Sequence, residues 1–289
     1  MDIGDTVVRK SYGKDITFRI IDIKDTRKGK QFVIKGLNLR LIADSPPEDL
    51  EPVKENYHNR NDEALNKKVN IAIKKILSSR HDGYRNVKTK ASKHSTTSKE
   101  LMFGRPGKVL HIDGDSEYLQ NCLNAYKQLS IEAVGKVIPE YDQPKKILDI
   151  VKEVKPDIVV LTGHDSILKD AKDYGDLNNY RNSQFFVEAV KVLRELQGSY
   201  DELVIFAGAC QSCYEKILDA GANFASSPSR VLIHCLDPVF VCEKVAYTNI
   251  ENIVPIQEVL DNTITGLKGI GGMQTRGKYR EGYPKSPFL

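Results

Sequence analysis

Two apolar runs of the sequence each end at a side chain that can do chemistry. Residues 158–162 run into His164, and residues 203–207 run into Cys210, 46 positions after that histidine. Short apolar runs bounded by small residues are typical of buried parallel strands. Ligands of open α/β sheets bind at the carboxyl ends of the strands, and neighbouring strands lie about 4.8 Å apart. We therefore expect the imidazole and the thiol to meet at that edge of a sheet.

An imidazole beside a thiol predicts nucleophilic catalysis. The thiol of Cys210 is mostly protonated near neutral pH, and His164 can take its proton or, as imidazolium, stabilise the thiolate. The helix predicted to begin at Cys213 adds the favourable field of its amino terminus. The backbone N–H groups of Cys210 and Asp165 are expected to hold the oxyanion of an acyl-transfer reaction. Such a site needs no metal and no cofactor, and we expect neither.

The motifs around these two residues resemble those of a known group of peptidases. Gly163-His164-Asp165 and Gly208-Ala209-Cys210 are similar to the caspase, gingipain and clostripain group, in which the nucleophilic cysteine follows the histidine by about fifty residues. End to end, the chain also resembles a family of sporulation-specific cysteine peptidases of endospore-forming bacteria. The resemblance implies that Cys210 is the nucleophile and His164 its acid and base partner. In the wider group a glycine usually follows the histidine, and here that residue is Asp165.

The same resemblance implies a substrate and a place. The enzyme would be an endopeptidase that cleaves spore coat and germination proteins after arginine. It would be made in the cytoplasm of the mother cell and would associate with the spore coat. A guanidinium is best bound by a carboxylate, and the carboxyl ends of the predicted sheet offer Asp113 and Asp115 after the first strand and Asp237 after the fifth. Arginine-specific relatives draw acidic pocket residues from these two regions, so all three are candidates. An ordinary turn aspartate is the alternative for each.

The elements that would position these residues begin after residue 105. Strands and helices alternate there, which predicts a mostly parallel, doubly wound α/β sheet, and the resemblance implies that it is caspase-like. The predicted strands are residues 108–115, 131–138, 158–162, 203–207 and 230–238. The predicted helices are residues 116–129, with a possible cap at Ser116, and residues 144–154, 183–196 and 213–220. A short strand and a helix are expected between residues 245 and 260, and residues 269–272 are expected to be mobile and able to cover the cleft.

Two further segments precede this peptidase domain of residues 106–289. Residues 1–50 alternate polar and apolar positions in short runs, at 5–9, 16–23, 31–36 and 39–42, which predicts a small SH3-like β-barrel for docking. Residues 51–105 are rich in lysine and arginine and predict an exposed basic linker with one amphipathic helix at 62–77. An arginine-specific enzyme would cut itself in such a linker, at Arg60, Arg80, Arg85 or Arg105.

Composition and charge limit the partners and the cellular location that the sequence predicts. The chain has 289 residues, 40% of them hydrophobic, and a formal net charge of +4 that is concentrated in the linker. The basic residues lack the aromatic interleaving of single-strand binding, so a nucleic-acid partner is not expected. No apolar run is long enough for a membrane span, and the amino terminus has no secretion signal, so an intracellular protein with reduced cysteines is expected. The oligomeric state stays open.

Three alternatives to the peptidase assignment remain. Cys210 and Cys213 have the C-x-x-C spacing of a thiol-disulfide oxidoreductase, and a Cys213→Ala variant would separate the two functions. The chain could instead be a non-catalytic scaffold that binds the spore coat. A receiver-like regulator is suggested by Asp113 and Asp115, but it would need an aspartate on the third strand, where this chain has Thr162.

Overall fold

The structure is a computed structural model that describes residues 1–27, 29–54, 57, 59–90, 102–286 and 288, without the side chains of residues 81–90. Residues 91–101 of the predicted linker and the side chain of Arg85, one of the predicted self-cleavage positions, lie outside this description.

The amino-terminal part of the chain forms a five-stranded antiparallel sheet. Its strands are β1 (Thr6–Arg9), β2 (Thr17–Thr26), β3 (Gly29–Gly36), β4 (Ile42–Ser45) and β5 (Leu50–Pro52), in the order β4-β3-β2-β1-β5. The predicted first three strands are confirmed, and alternating residues such as Val7, Phe18 and Ile34 pack into a small core. The predicted strand at 39–42 is wrong, because the chain leaves the sheet after Gly36 and returns only at Ile42. The intervening residues 37–41 reach the second half of the molecule.

Helix α1 (Arg60–Lys90) follows this sheet and is longer than predicted. Asn59 accepts a hydrogen bond from the backbone N–H of Asp62, 2.8 Å away, and so caps the first turn. The predicted apolar face is confirmed, since Ile76 is buried and Leu65, Val69, Ala72 and Ile73 pack against the core of the α/β part. Arg80 donates to Glu243 at 2.6 Å. This stretch of the basic segment is therefore packed, and the expectation that Arg80 lies in an exposed tether is wrong.

The second half of the chain is built on a six-stranded sheet in the order β12-β11-β10-β9-β7-β8. Strands β7 (Val109–Asp113), β8 (Ala133–Val137), β9 (Ile158–Thr162), β10 (Val204–Ala207) and β11 (Phe224–Ser226) are parallel, and only β12 (Ile270–Gly272) is antiparallel. Helices α2 (Ser116–Gln128), α3 (Gln143–Val154), α4 (Ser183–Leu196) and α5 (Tyr214–Asp219) connect the first five strands. Alternate residues of the strands enter two separate cores, one with α1 and α2 and the other with α3 and α4. The prediction of a largely parallel sheet with helices on both faces is confirmed.

The carboxyl-terminal third departs from the predicted elements. The predicted strand at 230–238 is wrong: Arg230 at its start has a left-handed φ of 54°, His234 forms only an isolated bridge with Leu39 among the described residues, and a helix begins at Asp237. The fifth strand is instead β11, and Pro238 stands in the first turn of α6 (Asp237–Tyr247), where proline favours a helix start. Helix α7 (Ile256–Asn262) follows.

The carboxyl-terminal residues form paired β-strands and not a mobile segment over the cleft. Strand β12 contains residues that were expected to be mobile, and it pairs with β11. A two-stranded antiparallel sheet joins β6 (Phe103–Arg105) to β13 (Arg280–Gly282). Among the residues that the structure describes, no helix combines the length and apolar character needed to cross a membrane.

Candidate active site

His164 stands directly beyond β9 and is oriented through one ring nitrogen. Its Nε2 lies 3.0 Å from Oδ2 of Asp115, and its ring lies 5.6 Å from that of Tyr118. Its backbone N–H donates to Glu140 at 2.6 Å, and its carbonyl accepts from Asn182 at 2.8 Å. Its Nδ1 is buried and has no hydrogen-bond partner among the described residues. One nitrogen is thus fixed while the other is available to exchange a proton.

Asp115, which holds the ring, is fixed by the helix that follows it. It is the N-cap of α2, where Oδ1 accepts from the N–H of Glu117 at 2.9 Å and of Tyr118 at 3.2 Å, so the prediction that Ser116 caps this helix is wrong. Lys35 of the amino-terminal sheet pairs with the same carboxylate at 3.1 Å. Burial works to raise the pKa of Asp115, but the hydrogen bond from His164 and the charge of Lys35 outweigh it, so the pKa lies well below its usual range. Asp115 therefore stays ionised beside the imidazole.

Cys210 follows the strand that pairs with the strand preceding His164. Strands β9 and β10 pair from Val204 with Ile158 to Ala207 with Leu161, a constant offset of 46 positions, which is also the sequence separation of Cys210 from His164. The N–H of Gly208 extends the pairing by donating to the carbonyl of Leu161 at 3.0 Å. His164 and Cys210 therefore follow the carboxyl ends of two neighbouring parallel strands, and the meeting of their side chains stays a prediction.

The chain reaches Cys210 through a turn that requires glycine. Gly208 has φ of +110°, and a Cβ built there would lie 2.7 Å from Oγ of Ser226. Any larger residue would push the cysteine out of place.

The thiol of Cys210 is buried and accepts a hydrogen bond from the backbone. It is 1% exposed, its Sγ accepts from the N–H of Ile233 at 3.2 Å, and within the described part of the chain it makes no hydrogen bond to His164. Burial raises its pKa to about 12, and the bond from Ile233 and the charge of Arg40 offset this only in part. The sulfur is protonated in this arrangement.

Asp165 joins the histidine turn to the cysteine turn. Its Oδ2 accepts from the hydroxyls of Ser183 at 2.5 Å and Ser212 at 2.9 Å, and Oγ of Ser212 in turn accepts from the N–H of Ala209 at 2.9 Å. Its Oδ1 accepts from the backbone N–H of Asn182 at 2.8 Å. Among the described residues the imidazole of His164 is hydrogen-bonded to Asp115 and not to Asp165.

The two N–H groups predicted for the oxyanion are both unused. In the part of the chain that the structure describes, neither the N–H of Cys210 nor that of Asp165 donates to a backbone or side-chain acceptor. Both groups lie beyond the last paired residues of β9 and β10, and their role in binding an oxyanion stays a prediction.

The aspartates proposed to read arginine all have internal partners. Asp113 is fully buried and lies 2.7 Å from Nη1 of Arg40, whose charge outweighs burial and lowers the pKa of Asp113 to about 2. Asp237 is also fully buried and accepts from His234, Ile264 and Thr265, while burial raises its pKa. Asp115 carries Lys35 and His164, as described above. Which of the three reads a substrate stays a prediction.

Four contributors to this site were not found from the sequence. They are Lys35 and Arg40 of the amino-terminal sheet, Tyr118 and Glu140. Glu140 follows β8 much as Asp115 follows β7, so an acidic residue after a strand was the available signal. Lys35 and Arg40 gave no signal, because their partners lie 80 and 73 positions away in the sequence.

The second cysteine of the C-x-x-C motif has a different setting from the first. The N–H of Cys213 donates to Ser183 at 2.7 Å, and its sulfur lies 3.7 Å from the carbonyl oxygen of Tyr174. All five cysteines are free and buried. Across the described ranges no group of three or more His, Cys, Asp or Glu side chains is arranged to hold a metal ion.

Comparison with known proteins adds one family and one solved structure. The family model described as YabG peptidase U57 matches residues 2–284. The sporulation-specific protease YabG of Bacillus subtilis (strain 168) is 43% identical over 286 residues, which are 98% of this chain and 97% of that protein. A solved structure of the RcsB response regulator of Salmonella typhimurium has 12% identity and a TM-score of 0.27 over 41% of this chain and 50% of its own. That structural likeness is too low to inform the fold.

Proposed function

This chain belongs to the YabG peptidase family and is a sporulation-associated peptidase, and we propose that it is a cysteine endopeptidase with Cys210 as nucleophile and His164 as acid and base. The observation that carries the proposal is the parallel pairing of β9 with β10, because His164 follows the first of these strands and Cys210 follows the second. The free Nδ1 of His164 and the carboxylate of Asp115 on Nε2 suit an imidazole that exchanges one proton while it keeps its orientation.

The reaction follows from these groups. Nδ1 of His164 takes the thiol proton as the sulfur of Cys210 attacks the carbonyl carbon of the scissile bond. The N–H groups of Cys210 and Asp165 stabilise the oxyanion. The intermediate collapses to a thioester when the C–N bond breaks and the imidazolium gives its proton to the leaving amine. Water, deprotonated by His164, then hydrolyses the thioester and frees the enzyme.

This reaction starts only after the resting contacts change. The thiol is buried and bonded to Ile233, so substrate binding must move Cys210 toward the imidazole before a proton is transferred. Geometry of this kind commonly tightens only in the substrate complex.

We further propose cleavage after arginine in spore coat and germination proteins. The support is the carboxylates of Asp113 at the end of β7 and of Asp115 just beyond it, with Asp237 at the start of α6 as the third candidate, since carboxylates bind guanidinium. A caspase-like catalytic domain, an SH3-like amino-terminal barrel and association with the spore coat complete the proposal.

The test is hydrolysis of an arginyl peptide by the purified full chain and three variants. Cys210→Ala and His164→Ala should each lose at least about 10³-fold in kcat/KM, because removing any one member of a catalytic unit abolishes nearly all of the activity of that unit. Cys213→Ala is the matched control and should retain activity. Full activity in either of the first two variants would refute the dyad, whereas loss in Cys213→Ala alone would favour disulfide chemistry.

Self-processing is a separate part of the proposal. Arg60 and Arg80 lie on α1, and Arg105 ends β6, so each would have to become extended before cleavage. Intact-mass measurement of the wild type beside Cys210→Ala decides it, since fragments that appear in both samples cannot come from this site.

A further inference from the structure

Residues 38–40, between β3 and β4, run along the edge of the candidate active site. The N–H of Arg40 donates to the carbonyl of Ile233 at 3.2 Å, the N–H of Cys235 donates to the carbonyl of Asn38 at 2.9 Å, and Leu39 forms an antiparallel bridge with His234. This is strand-like pairing, and it uses the residue whose N–H donates to the sulfur of Cys210. A segment of the amino-terminal sheet is therefore paired beside the nucleophile.

The side chain of Arg40 fills a pocket that matches its chemistry. It is 1% exposed, with Nη1 2.7 Å from the carboxylate of Asp113 and Nη2 3.4 Å from the carbonyl oxygen of Cys235. The guanidinium carbon lies 5.2 Å from the ring centre of Tyr118. A carboxylate, a carbonyl oxygen and an aromatic face are what proteins use to bind arginine.

We propose that Asp113, Tyr118 and the carbonyl of Cys235 form the arginine subsite of this peptidase, and that residues 38–40 occupy it in the resting chain as a substrate-like segment. This inference rests on the proposed function. Extended peptides bind by pairing with an exposed strand-like edge, while pockets select their side chains. Residues 38–40 show both features, so a substrate must displace them to reach Cys210.

Stability alone does not account for Arg40. Lys35 and Arg19 already join the amino-terminal sheet to Glu117 of α2, at 2.7 and 2.5 Å. A buried ion pair is weak support for stability, because desolvation offsets most of its attraction. Nε and Nη1 of Arg40 are buried and make no hydrogen bond among the described residues, and Nη1 contacts Asp113 only as an ion pair, so the fit is incomplete. An incomplete fit is compatible with an occupant that leaves.

The test compares the full-length Arg40→Gln variant with the wild type. We expect alkylation of Cys210 by iodoacetamide, mapped by peptide mass spectrometry, to be at least about tenfold faster in the variant, since a blocked thiol reacts only in the open fraction. Hydrolysis of an arginyl peptide should rise in parallel. Arg19→Gln is the matched control: it loosens the same interface away from Asp113 and should change both rates by less than about twofold, because exposed ion pairs contribute little.

A second pair of measurements does not depend on how well Arg40→Gln folds. A synthetic peptide copy of residues 36–43 should inhibit the wild type competitively, and the copy with glutamine at position 40 should inhibit at least about tenfold more weakly. The double variant R40Q/D113N, which leaves no buried charge unpaired, should lose at least about tenfold of the preference for arginine over citrulline in the substrate.

The outcomes separate the two proposals. Equal alkylation rates in wild type and Arg40→Gln, equal inhibition by the two peptides, or an unchanged arginine preference in R40Q/D113N overturns the subsite and its occupant. Activity that survives Cys210→Ala overturns the proposed function instead. Because alkylation does not require turnover, the occupancy of the site is read even in a chain that cleaves nothing.

Discussion

Asp115 and Asp165 both contact the turn after β9, but their environments differ in charge. Asp115 faces cations and potential cations, namely Lys35 and the imidazole of His164. Asp165, on the other side, is bound only by neutral donors, the hydroxyls of Ser183 and Ser212 and backbone N–H groups. The pKa of Asp115 is lowered, whereas burial raises that of Asp165 above its usual value despite four hydrogen bonds. Neighbouring hydrogen bonds and charges therefore determine the direction of the pKa shift of Asp115, whereas desolvation determines that of Asp165.

The difference separates catalysis from architecture at this edge of the sheet. Asp115 sets the orientation and the electrostatic environment of one reacting group. Asp165 fixes the distance between two turns, because its bond to Ser212 and the bond from Ala209 to Ser212 connect directly to the backbone beside Cys210. Removing the first should reduce activity in a folded protein, and removing the second should cost stability.

The largest effect is expected for Asp165→Ala. The variant leaves two hydroxyls and the N–H groups of Ser166 and Asn182 without their acceptor in a buried place, which should lower the free energy of unfolding by at least about 3 kcal/mol. Urea unfolding measures this cost. Peptide hydrolysis should also fall, because the turn that carries Cys210 loses its anchor.

Asp176→Ala is the matched control for that change. Asp176 also accepts a backbone N–H, that of Asn178 at 2.9 Å, but at an exposed position. Its loss should cost no more than about 1 kcal/mol. Equal costs in the two variants would show that Asp165 is an ordinary turn residue.

An intermediate effect, larger on catalysis than on stability, is expected for Asp115→Asn. Asparagine caps a helix as well as aspartate does, but the ion pair with Lys35 is lost, so the free energy of unfolding should fall by about 2 kcal/mol, less than in Asp165→Ala. The carboxylate that orients His164 is lost, and kcat should fall about 10²-fold with little change in KM. Steady-state kinetics measure both constants.

The half-buried Asp142→Asn serves as its control, since Asp142 contacts only Lys145 and Lys146 among charged groups of the described chain. It should be indistinguishable from the wild type. A fully active Asp115→Asn enzyme would mean that the imidazole needs no carboxylate.

Some features of the fold and of the candidate site could be predicted from the sequence, and others could not. The parallel sheet and the adjacency of β9 and β10 could be predicted, because both depend on apolar runs and on strand pairing along the chain. The helix of residues 62–77 could be predicted because its apolar residues recur at helical spacing. Its continuation and its packing against the α/β part could not be predicted, since the many lysine and arginine residues of this segment indicate an exposed linker.

The missed features depend on contacts between distant segments. Lys35 and Arg40 meet Asp115 and Asp113 only because the amino-terminal sheet lies against α2, and no local pattern encodes that placement. The strand predicted at 230–238 failed because its apolar residues are those of a buried irregular segment, in which left-handed Arg230 breaks the extension. Apolar runs predict burial more reliably than they predict regular structure.

The smallest effect is a difference in the pH dependence of stability between Asp115→Asn and Asp165→Asn. The pKa of Asp115 is lowered in the folded state, so its contribution is present above the ordinary pKa of about 3.9 and is lost as pH falls. The pKa of Asp165 is raised, so its contribution is present below about 3.9 and is lost as pH rises through the folded pKa. Unfolding free energies from urea titrations between pH 3 and 7 should therefore fall less steeply with acid in Asp115→Asn. In Asp165→Asn the decline with rising pH that the wild-type residue causes should disappear. Each change is at most about 1.4 kcal/mol per pH unit, and smaller for Asp115, which solvent partly screens. Curves that stay parallel to the wild type in both variants would contradict the opposite surroundings from which the comparison began.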